Sequence, residues 1–278
     1  VYTALKLGFK KEDIMFTGNN VRDDEMKYVQ GQGVLINVES LDQLERYGKM
    51  FPGSEVAIRI NPDVGAGFNK HVITGGPDSK FGVYYDRIED AKKIAKEYDL
   101  NIVGIHSHIG SGILNTQDYK NAMKTVMDTA KNIKGLRFID FGGGIGVPYK
   151  PTDKEIDIEK FGKETSELFS DFCDEYGEEL TMMFEPGKYL ITSPGFLLTR
   201  VNTIKENPKH KFAGTDTGFN QLIRPILYGA YHGIINASNV EDETEDILVV
   251  GNICESGDVF TRDENGPVDR KLSKIKKG

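Results

Sequence analysis

The chain has 278 residues, enough for about two domains. Charged residues make up 28% and hydrophobic ones 38%, with 31 Gly and 10 Pro, which excludes a disordered chain, a collagen repeat and a coiled coil. The net charge of −8 opposes nucleic acid or an anionic membrane as partner, and no apolar run approaches the roughly 20 residues of a membrane helix.

In chain order, the first residues read as the end of a helix closed by Gly8. Short apolar runs follow at Asp13–Thr17, Val34–Val38, Glu55–Asn61, Ile102–His108, Arg137–Phe141 and Thr181–Glu185, each nearly continuous, as in a parallel sheet buried on both faces. Three stretches between them are amphipathic at helical spacing. One carries Ile88, Ala91, Ile94, Ala95 and Tyr98, the next Tyr119, Ala122, Met123, Val126, Ala130 and Ile133, and the last Phe161, Leu168, Phe169, Phe172, Cys173 and Tyr176. Polar and glycine-rich residues stand at the carboxyl end of strand after strand: Gly18-Asn19-Asn20, Arg59 to Pro62, His106 to His108, Gly142 to Gly146 and Glu185 to Gly187. A barrel gathers all its strand ends at one mouth, whereas an open doubly wound sheet concentrates them at one switch point, so the pattern favours a (β/α)8 barrel. Six strands are visible; the expectation is that two precede residue 1.

After about Ser193 the pattern changes to strands without intervening amphipathic helices, at Gly195–Asn207, Lys211–Gly218 and Glu245–Gly251, with turns such as Glu206-Asn207-Pro208. The expected division is therefore a partial barrel domain over 1–193 and a partial, mostly β domain over 194–278, ending in a polar loop. The basic segment Arg270 to Lys277 reads as a solvated tail. Cys173 and Cys254 lie in unlike contexts and are expected to stay unpaired, which suits a reducing, cytoplasmic setting.

Four strings could carry chemistry. Phe141-Gly142-Gly143-Gly144-Ile145-Gly146 lets backbone N–H groups approach an anion, and loops of this kind form the phosphate site of barrels; Pro148 stands where a dinucleotide-binding helix should open. His106 and His108 alternate and so face one side of a strand, which suits either a metal or the flat ring of an aromatic cofactor, with Ser111 following as a hydroxyl for phosphate. No metal site is expected. Glu185, in an apolar run, needs a cation or donor: a protonated heterocycle nitrogen, or else Arg59 or Lys188. Ile253 to Asp258 joins a thiol, two carboxylates and a glycine turn, in which Cys254 is either a small buried apolar residue or a reactive group.

Taken together, HSHIGSG, FGGGIG, FEPGKYL, TDTGFNQLIRPILYGAYH and GNICESGD, in this order, resemble the diaminopimelate decarboxylases, pyridoxal-phosphate enzymes related to ornithine and arginine decarboxylases and alanine racemase. The resemblance runs over essentially the whole chain. It implies a barrel followed by a β domain, a homodimer with active sites at the subunit boundary, and conversion of meso-2,6-diaminopimelate to L-lysine. By position, it implies that His108 stacks on the pyridine ring, Ser111 and Gly142, Gly143 and Gly144 bind the cofactor phosphate, and Glu185 keeps the ring nitrogen protonated. Lys188, Arg224, Tyr228 and Glu255 would contact substrate, and Cys254 would act as proton donor across the dimer boundary. Lys188 stands where the family pattern has arginine, which keeps the charge and loses the planar fork. The family's cofactor-anchoring lysine, in a string like Ala-Val-Lys-Ala-Asn, does not occur in these residues and is expected upstream; this stretch alone would be inactive. The alternatives are a decarboxylase of carboxynorspermidine or a basic amino acid, and a non-catalytic regulatory relative.

Overall fold

Apolar runs and helical stripes alternate through the first two thirds of the sequence, and a computed structural model, which describes residues 1–68, 72–241 and 243–277, turns them into a βα progression. The chain divides into two compact units: residues Val1–Val147 with Glu155–Ile191, and residues Pro148–Lys154 with Thr192–Gly278. The segment 148–154 thus groups with the second unit, a long-range association that a linear division at 193/194 does not contain. Among the described residues, no helix is long and apolar enough to cross a membrane.

The first unit runs α1 (Tyr2–Lys6), β1 (Met15–Thr17), α2 (Asp23–Gly31), β2 (Leu35–Val38), α3 (Leu41–Met50), β3 (Glu55–Asn61), β4 (Val83–Tyr84), α4 (Ile88–Glu97), β5 (Asn101–His106), α5 (Thr116–Ala130), β6 (Phe138–Asp140), α6 (Ile158–Tyr176), β7 (Thr181–Met183) and α7 (Gly187–Ile191). Its strands lie in the order β1-β2-β3-β5-β6-β7, all parallel, with β4 added beside the end of β3. The order never reverses, so there is no switch point; this is barrel progression rather than a doubly wound sheet. The core is what the continuous runs dictate: Ile36, Val38, Val56, Ile58, Ile60, Ile105 and Ile139 are almost fully buried, packed under helix residues such as Leu44, Tyr47, Ala91, Met123 and Phe169. Helix starts are locally encoded. Ser40, Asn115 and Asp157 each accept a hydrogen bond from a backbone N–H of the first turn they precede.

Several boundaries differ from the sequence expectation. β1 begins at Met15 because Lys11–Asp13 forms a 3₁₀ turn, and β5 ends at His106, so that His108 lies beyond the strand. Helices α2 and α3 and the two-residue β4 were not anticipated; α2 buries only Met26 and Val29, too few for a clear stripe. Helix α6 carries an exposed Gly162 in its interior, where an added Cβ meets nothing within 4 Å. Gly162→Ala should therefore raise stability by about 0.5–1 kcal/mol, read as an upward shift of the urea midpoint; an unchanged or lower midpoint would contradict this placement.

The second unit contains β8 (Val201–Glu206), β9 (Lys211–Thr215), α8 (Arg224–Tyr228), β10 (Thr244–Val250), β11 (Arg262–Asp263), β12 (Gly266–Pro267) and β13 (Arg270–Ser273). Its four-stranded sheet has the order β13-β10-β9-β8, antiparallel except for β9 beside β10, over a small core of Ala213, Ile247, Val249, Phe260 and Leu272. The β8–β9 turn is closed by the Asn207 side chain, which accepts from the N–H groups of Lys209 and His210. The basic segment is not simply a solvated tail. Arg270–Ser273 pairs with β10, Leu272 is buried, and the Arg270 guanidinium lies 4.0 Å from the Tyr231 ring centroid. Residues 195–200 are not strand, and Phe196 and Leu198 are exposed.

Candidate cofactor site

The carboxyl ends of β5, β6 and β7 converge. Gly142 has φ +68° and Gly144 φ +95°, backbone that side chains disfavour. A Cβ on Gly142 would stand 2.3 Å from the Ser107 carbonyl oxygen, on Gly143 2.2 Å from that of Glu185, and on Gly144 2.1 Å from that of Gly110. Three strand-end loops thus approach one another as closely as bare backbone permits, and the glycine run is what lets them.

Within this convergence, Gly142 N–H donates to Asp140 Oδ1 at 2.8 Å and Gly143 N–H donates to His108 Nδ1 at 3.0 Å. Gly144 N–H has no acceptor among the described residues, while its carbonyl accepts from Ile113 N–H. Ser111, partly buried, accepts at its carbonyl from Phe68 N–H. The sequence-predicted residues His108, Ser111, Gly142 to Gly144 and Glu185 therefore belong to one set of neighbouring strand ends, and two of the three glycine N–H groups are already engaged within the protein.

Glu185 follows β7, and its side chain is 47% exposed, less buried than its apolar neighbours suggested. Its hydrogen-bond partner is His106, with Nε2 at 3.3 Å from Oε2; neither Arg59 nor Lys188 takes that role. That hydrogen bond holds the carboxyl below the usual glutamate range, helped by the positive field of Arg59 and opposed by partial burial. His108 behaves in the opposite way. Burial, with Arg59 and His106 nearby, pushes its pKa down from 6.5 to about 4, so the ring is a neutral, flat surface near neutral pH. Accepting from Gly143 at Nδ1 places its proton on Nε2.

The low pKa of His108 has a stability consequence. Between pH 6.5 and about 4 the unfolded chain takes up a proton that the folded chain does not, so stability should fall as pH drops through this window. His108→Asn, which keeps an acceptor for Gly143 N–H, should flatten that fall in urea midpoints measured at pH 7, 5.5 and 4.5. An unaltered pH slope would contradict the neutral-ring assignment.

Asp140 and Glu39 were not singled out in the sequence. Asp140 is 1% exposed, and burial raises its carboxyl pKa. His106, Asp140 and Glu185 bring ligand-type atoms within 4.8 Å of one another, the one metal-capable group of three among the described residues. Alternation marked His106 and His108 as sharing a face; nothing local marks Asp140 as their neighbour, because the pairing of His106 with Asp140 comes from strand register. Deeper at the strand ends, Glu39 and Arg59 form a buried pair at 3.7 Å, with Arg59 also stacked 4.5 Å from the Phe81 ring centroid. Burial raises the Glu39 pKa and lowers that of Arg59. Asn61 is a loop clamp: its side chain exchanges two hydrogen bonds with the backbone of Gly76. Lys188 lies 5.3 Å from the Phe68 ring centroid.

In the second unit, Arg224 and Tyr228 stand one helical turn apart on α8. Arg224 is held by a 3.0 Å contact from Nη1 to His232 Nε2 and by stacking 4.6 Å from the Tyr149 ring centroid. The loop from Gly251 to Asp258 is wound around Asp258, whose buried carboxylate accepts from Phe219 and Ile253 N–H groups at 2.8 Å each. Of the two carboxylates in that string, Asp258 is structural, and Cys254 and Glu255 are presented on the outside. Cys254 is an exposed free thiol, which removes the buried-apolar reading; Cys173 is free as well.

The residues fit a pyridoxal phosphate: glycine-lined backbone for a phosphate, a neutral imidazole for a ring face, and an ionised carboxylate for a ring nitrogen. Comparison with known proteins agrees. The family described as "Pyridoxal-dependent decarboxylase, pyridoxal binding domain" matches residues 1–192. A diaminopimelate decarboxylase of Methanothermobacter thermautotrophicus is 46% identical over all of this chain and 65% of its own length. That of Buchnera aphidicola from Acyrthosiphon pisum is 37% identical over 99% of the chain and 68% of its own length. The solved diaminopimelate decarboxylase of Helicobacter pylori, complexed with L-lysine, superposes with a TM-score of 0.87 at 30% identity, covering 100% of this chain and 68% of that one. The chain thus spans about two thirds of the length of the relatives it matches. On these matches, and on the site its own residues build, the chain belongs to the pyridoxal-dependent decarboxylase family.

Proposed function

We propose that the protein carrying this chain removes one carboxylate of meso-2,6-diaminopimelate as carbon dioxide, replaces it with a proton, and so forms L-lysine. The observation that carries the reading is the meeting of an ionised Glu185, a neutral His108 and the Gly142–Gly144 loop at adjacent strand ends. Bound pyridoxal phosphate supplies an electron sink for the pair left when the carboxylate departs.

The protein's own groups do the rest. Glu185 holds a proton at the ring nitrogen by opposite charge. The His108 ring packs against one face of the cofactor without adding a charge. Gly144 N–H and the Ser111 hydroxyl are donors for the phosphate, joined by Gly143 N–H when it exchanges its bond to His108. At the far end of the substrate, Arg224 pairs with a carboxylate through its planar fork, beside Tyr228 and with Lys188 as a second cation, and Glu255 meets the distal ammonium. Cys254, exposed on its loop, delivers the proton that takes the carboxylate's place. We place the complete enzyme in the cytoplasm as a homodimer with the site at the subunit boundary.

A substrate with an amino-acid group at each end explains an arginine and a carboxylate together; a simple basic amino acid gives Arg224 nothing to bind. The test is to incubate the holoenzyme with meso-diaminopimelate, carboxynorspermidine, ornithine, arginine and lysine in turn. The expected result is L-lysine and carbon dioxide in equal amounts from the first alone. Preferential turnover of another substrate, or of none, would overturn the assignment.

A further inference from the structure

We propose that His106 is the positioning residue of the Glu185 carboxylate, fixing one of its oxygens so that the other is aimed at the cofactor's ring nitrogen. The inference rests on the reading above that Glu185 meets that nitrogen. His106 ends β5 with 1% exposure, and its Nε2 lies 3.3 Å from Glu185 Oε2. Its other nitrogen, Nδ1, is buried without a hydrogen-bond partner among the described residues. A buried N–H without an acceptor is the costlier way to leave that atom, so the proton sits on Nε2 and is donated to Glu185.

The competing acceptor is accounted for. Asp140 stands opposite His106 in the β5–β6 register, but among the described residues no hydrogen bond joins the two side chains, and Asp140 Oδ1 accepts from Gly142 N–H at 2.8 Å. Glu185 follows the last strand, is half exposed, and its terminal torsion is intrinsically broad and roughly two-fold. One fixed donor removes that freedom. The charged and titratable groups facing the carboxylate are His106 and His108 from the β5 end, Asp140 from β6, Arg59 from β3 and Tyr119 from α5. Of these, His106 alone hydrogen-bonds to it among the described residues.

The test compares His106→Leu, His106→Gln, His106→Asn, Glu185→Gln and the Leu/Gln double variant in the holoenzyme, reading the pyridoxal phosphate dissociation constant and the absorbance spectrum of the bound cofactor against pH. An orienting hydrogen bond of this kind predicts about tenfold weaker binding and a displaced spectral pH midpoint in His106→Leu. His106→Gln, whose amide nitrogen can occupy the place of Nε2, should recover most of both; His106→Asn, too short to reach, should not. The double variant should be no worse than Glu185→Gln alone. Should His106→Leu fail to fold, the Gln and Asn variants decide, and equal behaviour of the two overturns the proposal. So do additive losses in the double variant, or wild-type affinity and spectrum in His106→Leu. If His106→Leu is unaffected while Glu185→Gln is impaired, only the role of His106 falls; if Glu185→Gln itself matches the wild type, the reading of Glu185 falls, and this inference with it.

Discussion

Glu185→Ala should lower turnover by about 10²–10³-fold, the scale of losing a preorganised electrostatic contact in an active site. The fold should survive, because the side chain is 47% exposed and makes its hydrogen bond to a histidine rather than filling the core. The carboxylate's low pKa keeps it charged near neutral pH, and a charge beside the ring nitrogen is what favours a proton there. Alanine removes the charge and leaves the His106 N–H facing open space. Turnover and a thermal melt of the same preparation check both halves. Near-normal turnover would remove Glu185 from the cofactor, and a collapsed melting temperature would make its role structural.

Gly144→Ala should be the most damaging substitution in the glycine loop. Its φ of +95° costs an L-residue about 1–2 kcal/mol before any contact is considered. The added Cβ would then stand 2.1 Å from the Gly110 carbonyl oxygen, which is backbone and cannot swing away. The loops after β5 and β6 must separate, and with them Ser111 and the Gly144 N–H. The expected outcome is at least tenfold weaker pyridoxal phosphate binding by fluorescence titration, with stability lost as well, whereas Gly162→Ala loses neither. Unchanged cofactor affinity in a folded Gly144→Ala protein would contradict the phosphate assignment.

The sequence made legible what depends on local chemistry. Glu55–Asn61 was expected and observed residue for residue, because a continuous apolar run buried on both faces admits few other structures. The glycine run, the paired histidines and the Glu-Pro-Gly strand end were visible as chemistry for the same reason: each is a short string. What escaped was long-range. His106 finds Glu185 79 positions later, and Asp140 joins them only through β-sheet register. The association of Pro148–Lys154 with the second unit is equally invisible to a reading that moves along the chain, as is the pairing of Arg270–Ser273 with β10, which turned an expected tail into a strand. Conversely, the apolar residues Phe196 and Leu198 read as strand but are exposed, since apolar composition alone does not supply a neighbouring strand.

The most direct measurement is a crystal structure of the holoenzyme with pyridoxal phosphate bound. It should place the phosphate against Gly144 N–H and Ser111, the ring nitrogen within hydrogen-bond distance of a Glu185 oxygen, and the His108 ring against one face. A phosphate bound away from the Gly142–Gly144 loop, or a ring nitrogen facing any group other than Glu185, would contradict the account.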